Sequence, residues 1–241
     1  MKGWRARIGF LVPPGNPTLE PEMMELAPEG VSVHFTRMTA AGPAGTHSGQ
    51  EERNRSQVES LPGCVRLLAM VSPQVIAMAH TATSYTLGKA REAALVAEME
   101  GLSGARFITA FGSVLAAFAE LGVRRVAYAT PYSAEMTAQG RQHLESCGLT
   151  VVSSGHLAGV RNIYEENSER AYAIARQVDR PEADVIFLSG VGMPTLDALK
   201  PLEEDTGKPA ISAASAMMWH ALRTAGVNCS IKGYGRLLEE H

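Results

Sequence analysis

Short apolar segments alternate with longer segments of helical period along the chain, and this alternation restricts the fold more than any other feature of the sequence. Runs of about four to seven apolar residues predict strands. Seven such runs occur: "RIGFLV", "VSVHF", "QVIAMA", "RVAYAT", "LTVVSS", "DVIFLS" and "KPAIS". The segments between them predict helices at 51–70, 88–100, 114–121, 134–146, 168–178, 196–204 and 214–224. Strands that are apolar on both faces and alternate with helices indicate a parallel sheet covered on both sides.

The two halves of the sequence resemble each other in the order of their strands. Segments 7–15, 75–82 and 107–113 correspond, in that order, to segments 125–133, 185–192 and 210–216. This repeat predicts an α/β fold of two pseudo-symmetric Rossmann-like (flavodoxin-like) lobes, each a parallel sheet flanked by helices. We place the first lobe at residues 1–112, completed by the C-terminal segment 216–241, and the second at 113–215. His80 and Gly190 then follow equivalent strands.

Charge and composition exclude several classes of protein. The net charge of −3 is spread along the chain without long runs, which argues against a nucleic-acid or membrane-surface partner. No apolar stretch approaches the roughly 20 residues that span a bilayer, and the N-terminus predicts no signal peptide. Cys64, Cys147 and Cys229 have no short pairwise spacing, which argues against a disulfide framework and a zinc site. We therefore expect a cytoplasmic protein without a metal.

Four loops carry the chemistry that the sequence offers: "VPPGNPTLE", "AHTATSY", "ATPYSAE" and "LSGVGMPTLD". In open parallel sheets, ligands bind beyond the carboxyl ends of the strands, where loops lead into helix N-termini. These loops contain small residues, hydroxyls, an amide, a phenol and an imidazole, but no Lys or Arg. Backbone N–H groups at helix N-termini, together with such side chains, bind anions. The loops predict a small ligand with one or two carboxylates.

Each polar residue of these loops has a structural and a functional interpretation. Asn16 either offers an amide to the ligand or caps a helix that begins near residue 18 or 19. Tyr132 either donates its phenol to a substrate oxygen or is a half-buried tyrosine with its hydroxyl in water. Thr81, Thr83 and Ser84 precede a helix, so at least one of them is expected to cap it, and a second to face the ligand.

His80 is the one residue of these loops that titrates near neutral pH, since its reference pKa lies near 6.5. At a strand end it can serve as general base, general acid or nucleophile, or it can simply satisfy loop carbonyls with its two nitrogens. Gly190 and Gly192 let the backbone come close to a ligand. Their G-x-G pattern lacks the third glycine of a dinucleotide fingerprint, so we predict no nucleotide cofactor.

The four loops, taken in this order, resemble the aspartate/glutamate racemase superfamily, in the branch that holds maleate cis–trans isomerases and arylmalonate decarboxylases. The similarity covers nearly the whole chain. It places Asn16 at the substrate-binding asparagine of the isomerases, Tyr132 at the cleft tyrosine and Asn162, in "VRNIYE", at a further substrate asparagine. "LSGVGMPTLDAL" and the ending "GYGRLLEE" are similar to decarboxylase sequences.

The resemblance implies a cofactor-free, homo-oligomeric enzyme whose substrate lies in the cleft between the two lobes. Racemases of the superfamily use one cysteine from each half, isomerases resemble them in using a cysteine pair, and decarboxylases keep only the second cysteine. His80 and Gly190 stand at these two positions here. None of the three cysteines aligns with either position, which argues against two-thiol racemisation. One acid/base residue remains.

Three hypotheses follow, and all have a small carboxylate or dicarboxylate as the ligand. In the first, His80 transfers a proton to or from an enediolate, as in a decarboxylase or another lyase, and we prefer it because it needs one acid/base residue. In the second, His80 activates water or adds to a double bond, as in a hydratase or a cis–trans isomerase. In the third, the chain only binds a dicarboxylate. The predicted catalytic residues are His80 and Tyr132, and the predicted substrate-binding residues are Asn16, Thr81, Thr83, Asn162, Gly190 and Val191.

Overall fold

The computed structural model describes residues 2–241 as two four-stranded parallel sheets. The first sheet has the order β2-β1-β3-β4 and the second the order β6-β5-β7-β8. The strands are β1 (Ala6–Val12), β2 (Val31–Arg37), β3 (Val75–Met78), β4 (Arg106–Thr109), β5 (Arg125–Thr130), β6 (Thr150–His156), β7 (Val185–Leu188) and β8 (Ala210–Ser212). The identical strand orders confirm the predicted α/β fold and the internal repeat. β4 was not among the seven predicted strands.

Helices flank both sheets and largely follow the predicted segments. They are α1 (Leu19–Leu26), α2 (Gln50–Ala69), α3 (Thr81–Leu87), α4 (Lys89–Ser103), α5 (Ala110–Glu120), α6 (Ala134–Ser146), α7 (Ser168–Val178), α8 (Leu196–Thr206), α9 (Ala213–Thr224) and α10 (Arg236–Glu240), with a 3-10 turn at Ile163–Glu165. α5 begins four residues before the predicted start at 114, because the Thr109 hydroxyl caps it by accepting from the Gly112 N–H. α3 ends at Gly88, whose φ of 71° is readily adopted only by glycine.

The ends of β3 and β7 are built in the same way. The backbone amides of Ala79 and Ser189 each donate to the end of the neighbouring central strand, at 3.0 and 2.8 Å. The next residues are His80 and Gly190, so the two positions are structurally equivalent, as the repeat predicts.

The C-terminal part of the chain returns to the first sheet. α9 packs against α5 and against β1, β3 and β4. Its residues Met217 and Met218 are fully buried. The predicted lobe boundaries at residues 112 and 215 stay a prediction. Within residues 2–241, no helix combines the length and the apolar character that crossing a bilayer demands.

A buried carboxyl group joins the two lobes. Oε1 of Glu22, on α1, accepts hydrogen bonds from the backbone amides of Thr195 (2.8 Å) and Leu196 (3.3 Å) at the start of α8. Oε2 of Glu22 is buried without a partner in the described part of the chain. Burial raises the pKa of Glu22 to about 7, against the lowering effect of the two amides. The free energy of unfolding is therefore expected to depend on the protonation of Glu22, and so on pH.

Candidate active site

His80 is positioned between the end of β3 and the start of α3. His80 is the N-cap residue of α3, in an extended conformation (φ −155°, ψ 101°), and its ring is 7% exposed. Nδ1 lies 2.6 Å from Oγ1 of Thr83. Nε2 makes no hydrogen bond to any residue of 2–241, and no main-chain atom binds either nitrogen. One ring nitrogen is therefore oriented by a side chain and the other is available to a ligand.

The surroundings keep the His80 imidazole neutral. Burial, and to a smaller extent the positive charge of Arg53, lower its pKa to about 4. At neutral pH the ring therefore carries one N–H proton, and the Thr83 hydroxyl donates to Nδ1 or accepts from it according to which nitrogen holds that proton. A neutral imidazole is a base or a nucleophile. An anion bound beside it raises its pKa and lets it act as an acid.

Four of the predicted site residues form two contacts between the lobes. The Thr81 hydroxyl lies 2.9 Å from the Tyr132 hydroxyl. The Asn16 amide donates to the carbonyl of Val191 at 2.8 Å. Oδ1 of Asn16 also accepts from the backbone amides that begin α1, at 2.8 and 3.0 Å. Asn16 therefore caps a helix, as the structural interpretation predicts, and its amide links the lobes, while binding of this amide to a ligand stays a prediction.

Gly190 leaves the second face of the cleft without a titratable side chain. Its φ is 93°, and a Cβ atom there would lie 3.2 Å from the Tyr132 hydroxyl. The thiol of Cys64 donates to the carbonyl of Arg37, the last residue of β2. None of the three cysteines lines the space in front of His80.

His80 lines a small cavity of about 20 Å³, which has room for about one water molecule. α2 supplies one wall, through the polar side chains of Arg53, Asn54 and Gln57. The loop that follows β2 supplies another wall through residues 44–47, and Tyr164 of the second lobe completes the enclosure. The cavity is thus shared by both lobes.

The loop wall is fastened to the second lobe at two points. The Gly45 carbonyl accepts from the backbone amide of Ile163 at 2.9 Å. The His47 ring lies 3.0 Å from the carbonyl of Pro131 through Nε2. Asn162 lies at the same seam, where its side chain caps the 3-10 turn by accepting from the Tyr164 amide at 3.0 Å. Asn162 does not line the cavity itself, but it contacts Tyr164, which does.

Four residues of the cavity wall were not among the predicted site residues: Arg53, Asn54, Gln57 and Tyr164. The stretch "EERNRSQVES" resembles a solvated helix surface, so its polar residues carried no signal by themselves. A signal was nevertheless available. Gln50, Arg53, Asn54 and Gln57 continue, at helical spacing, the apolar face formed by Leu61, Val65 and Leu68.

The described residues offer no ready-made metal site. Residues 2–241 contain no group of three His, Cys, Asp or Glu side chains arranged to hold a metal ion. The polar groups around His80 are hydroxyls, amides, one guanidinium and the imidazole of His47. Such groups recognise the oxygen atoms of an anion.

Comparison with known proteins agrees with this architecture. A model of the arylmalonate decarboxylase family matches residues 8–238. The chain is 30% identical over 243 residues to the arylmalonate decarboxylase of Bordetella bronchiseptica, covering 97% of this chain and 96% of that protein. It is 29% identical over 249 residues to the maleate isomerase of Nocardia farcinica, again covering 97% of this chain and 96% of that protein.

A solved structure shows the same fold. The Nocardia farcinica maleate cis–trans isomerase, in a cysteine-to-serine mutant with a covalently bound succinylcysteine intermediate, has a TM-score of 0.88 to this chain. The identity is 27%, and the similarity covers 98% of this chain and 99% of that chain. The resemblance recognised in the loops is thereby confirmed. The chain belongs to the arylmalonate decarboxylase family, in the branch of the aspartate/glutamate racemase superfamily that also holds the maleate isomerases.

Proposed function

We propose that this chain is a cofactor-independent enzyme that acts on a small carboxylate or dicarboxylate through an enediolate-type intermediate, with His80 as the acid/base. The observation that carries the proposal is the position of His80. At the end of a buried strand, His80 lines a small cavity between the lobes, its Nε2 free of hydrogen bonds to residues 2–241, and no thiol of these residues lines that cavity. Membership of a family of isomerases and decarboxylases supports an enzymatic role.

In the lyase form of the reaction, the bond between the reacting carbon and one carboxylate breaks and carbon dioxide leaves. The electron pair stays on the remaining carboxylate as an enediolate. His80, protonated in the presence of the anionic substrate, gives its proton to the carbon, and the neutral ring then recovers a proton from water. The paired hydroxyls of Thr81 and Tyr132 and the backbone amides near Thr81 and Val191 stabilise the negative charge.

A second candidate is cis–trans isomerisation of an unsaturated diacid, because the lowered pKa of His80 keeps its imidazole neutral at neutral pH. Nε2 then adds to one alkene carbon, and the electron pair moves into the far carboxylate. Rotation about the new single bond and loss of the imidazole give the other isomer. This route forms and breaks one carbon–nitrogen bond and needs no co-reactant.

A panel of substrates tests the proposal. We expect turnover of at least one compound among maleate, substituted malonates and small cyclic or amino diacids, followed by chromatography of the products. The cysteine-free variant Cys64→Ala/Cys147→Ala/Cys229→Ala should keep the rate within about threefold, because none of these thiols lines the cavity. Loss of turnover in this variant, with the fold intact by circular dichroism, would contradict the assignment. Saturable binding without turnover would instead support a binding protein.

A further inference from the structure

The inner face of α2 changes from apolar to polar where it reaches His80. Leu61, Val65 and Leu68 on this face are buried in the core. The same face carries Gln57 one turn before Leu61 and Arg53 two turns before it, and these side chains are only 4% and 6% exposed. Buried polar side chains are normally hydrogen-bonded. Their partners therefore indicate what this end of the helix is built to contact.

Arg53 is a buried cation without an anion. No carboxylate within residues 2–241 forms an ion pair with it. Its two terminal nitrogens donate to the backbone carbonyls of Thr46 and Ser48 in the loop that covers the cavity, so part of its five-donor capacity is used. Burial lowers its pKa. An unpaired buried charge is costly, and an anion in the cavity would remove that cost.

Two amide oxygens beside Arg53 also lack partners. The Asn54 side chain donates to the Ala82 carbonyl at 3.2 Å and to the Thr86 hydroxyl at 2.9 Å, which fixes its orientation. Its Oδ1 then accepts from no residue of 2–241, and neither does Oε1 of Gln57, although both atoms are buried. Both residues line the cavity in front of His80. The wall therefore offers a cation and two vacant acceptors to one ligand.

We infer that Arg53, Asn54 and Gln57 form the specificity site for this reaction, which rests on the proposed function. Arg53 binds a second, non-reacting carboxylate of the substrate, and the two amide oxygens accept from a hydroxyl, amino or carboxyl proton next to it. The substrate class is thus a small diacid, with or without a polar substituent. An aryl group in this position would leave the guanidinium and both oxygens without partners, at a cost in affinity.

The size of the cavity sets a condition on binding. A volume of about 20 Å³ is too small for a diacid, so the covering loop must move to admit one. The carbonyls of Thr46 and Ser48 are the groups that a carboxylate replaces on Arg53. A carboxylate is the better acceptor, because charge-assisted bidentate pairs are stronger than bonds to neutral carbonyls.

Calorimetric titration tests this site without requiring turnover. The probes are malonate, succinate and maleate, each compared with its half-amide, which has the same shape and one negative charge fewer. We expect the wild type to bind at least one diacid about tenfold or more tightly than its half-amide. Arg53→Met should reduce that preference to within about threefold. The matched control is Arg55→Met on the same helix, where the arginine is exposed and pairs with Glu51; it should keep the preference.

An unchanged preference in folded Arg53→Met, or a wild type that prefers no diacid over its half-amide, overturns the inference. Arg53→Gln keeps an N–H donor for the loop carbonyls and gives the same comparison if the methionine variant does not fold. The two proposals fail separately. A diacid preference that depends on Arg53 but persists without turnover refutes only the proposed reaction, while turnover with an unaltered preference in Arg53→Met refutes only the specificity site.

Discussion

Replacing His80 with alanine is expected to lower kcat by about three orders of magnitude or more, because a positioned acid/base group contributes about 10² to 10⁴ in rate. Gly190 puts no side chain at the equivalent position of the other lobe, and the other imidazole of the cavity, His47, is bound to the Pro131 carbonyl. Affinity for a diacid should change by less than about tenfold, or about 1.4 kcal/mol. Binding is assigned to Arg53 and to the neutral donors, which the substitution leaves in place. Steady-state kinetics and calorimetry on the same preparation measure both quantities.

The control for this experiment is His220→Gln. The His220 ring also has its pKa lowered by burial, but it contacts Ser113 at 3.1 Å and lies outside the cavity. Its kcat should stay within about threefold of the wild type. Should His80→Ala turn over substrate at the wild-type rate, the catalytic assignment is wrong. A parallel loss in both variants would point to a general effect on the fold.

The second large effect concerns stability and Glu22. Its folded pKa of about 7 lies above the value of 4.5 in an unfolded chain. Between these values the folded state holds a proton that the unfolded state has lost, so the stabilising contribution is complete below about pH 4.5 and is lost as the pH rises to about 7. The difference corresponds to about 3 kcal/mol. Glu22→Gln imitates the protonated form, so its free energy of unfolding should not show this loss.

Denaturant unfolding of both proteins at several pH values between 4.5 and 8 measures the effect. We expect the stability of Glu22→Gln relative to the wild type to rise by about 3 kcal/mol over this range. Glu169→Gln, at an exposed position on α7, serves as the control and should not reproduce the rise. Parallel curves for Glu22→Gln and the wild type would show that this carboxyl group does not join the lobes in the proposed state.

The periodicity of the sequence predicted most of the fold because each buried strand is apolar on both faces. The repeat also anticipated that His80 and Gly190 end equivalent strands. α3 escaped prediction for a physical reason. Its sequence, "TATSYTL", is rich in hydroxyl and β-branched residues that have low helix propensity. Tertiary contacts compensate, such as the bond from Tyr85 to Ser189 across the lobes (2.8 Å).

The site was predicted only in part, because a loop composition does not reveal which distant helix faces it. The loops indicated a site of neutral donors, and the structure adds Arg53 from a helix more than 25 positions before His80. A charged residue in a polar stretch is usually solvated, so the burial of Arg53 depends on packing that no local pattern encodes. The roles assigned to Asn16, Thr83 and Asn162 in substrate binding stay predictions. The homo-oligomer and the cytoplasmic location also stay predictions.

The central claim is that the ionisation of one imidazole controls the reaction, and the pH dependence of kcat/KM tests it most directly. This parameter reports groups of the free enzyme, in which the pKa of His80 is about 4. After correction for the ionisation of the substrate, we predict an inflection near pH 4. The rate constant falls below that pH if neutral His80 acts as base or nucleophile, and falls above it if the imidazolium acts as acid. A profile without an inflection below pH 6, or with a single inflection near the pKa of a thiol, about 8.5, would contradict the account.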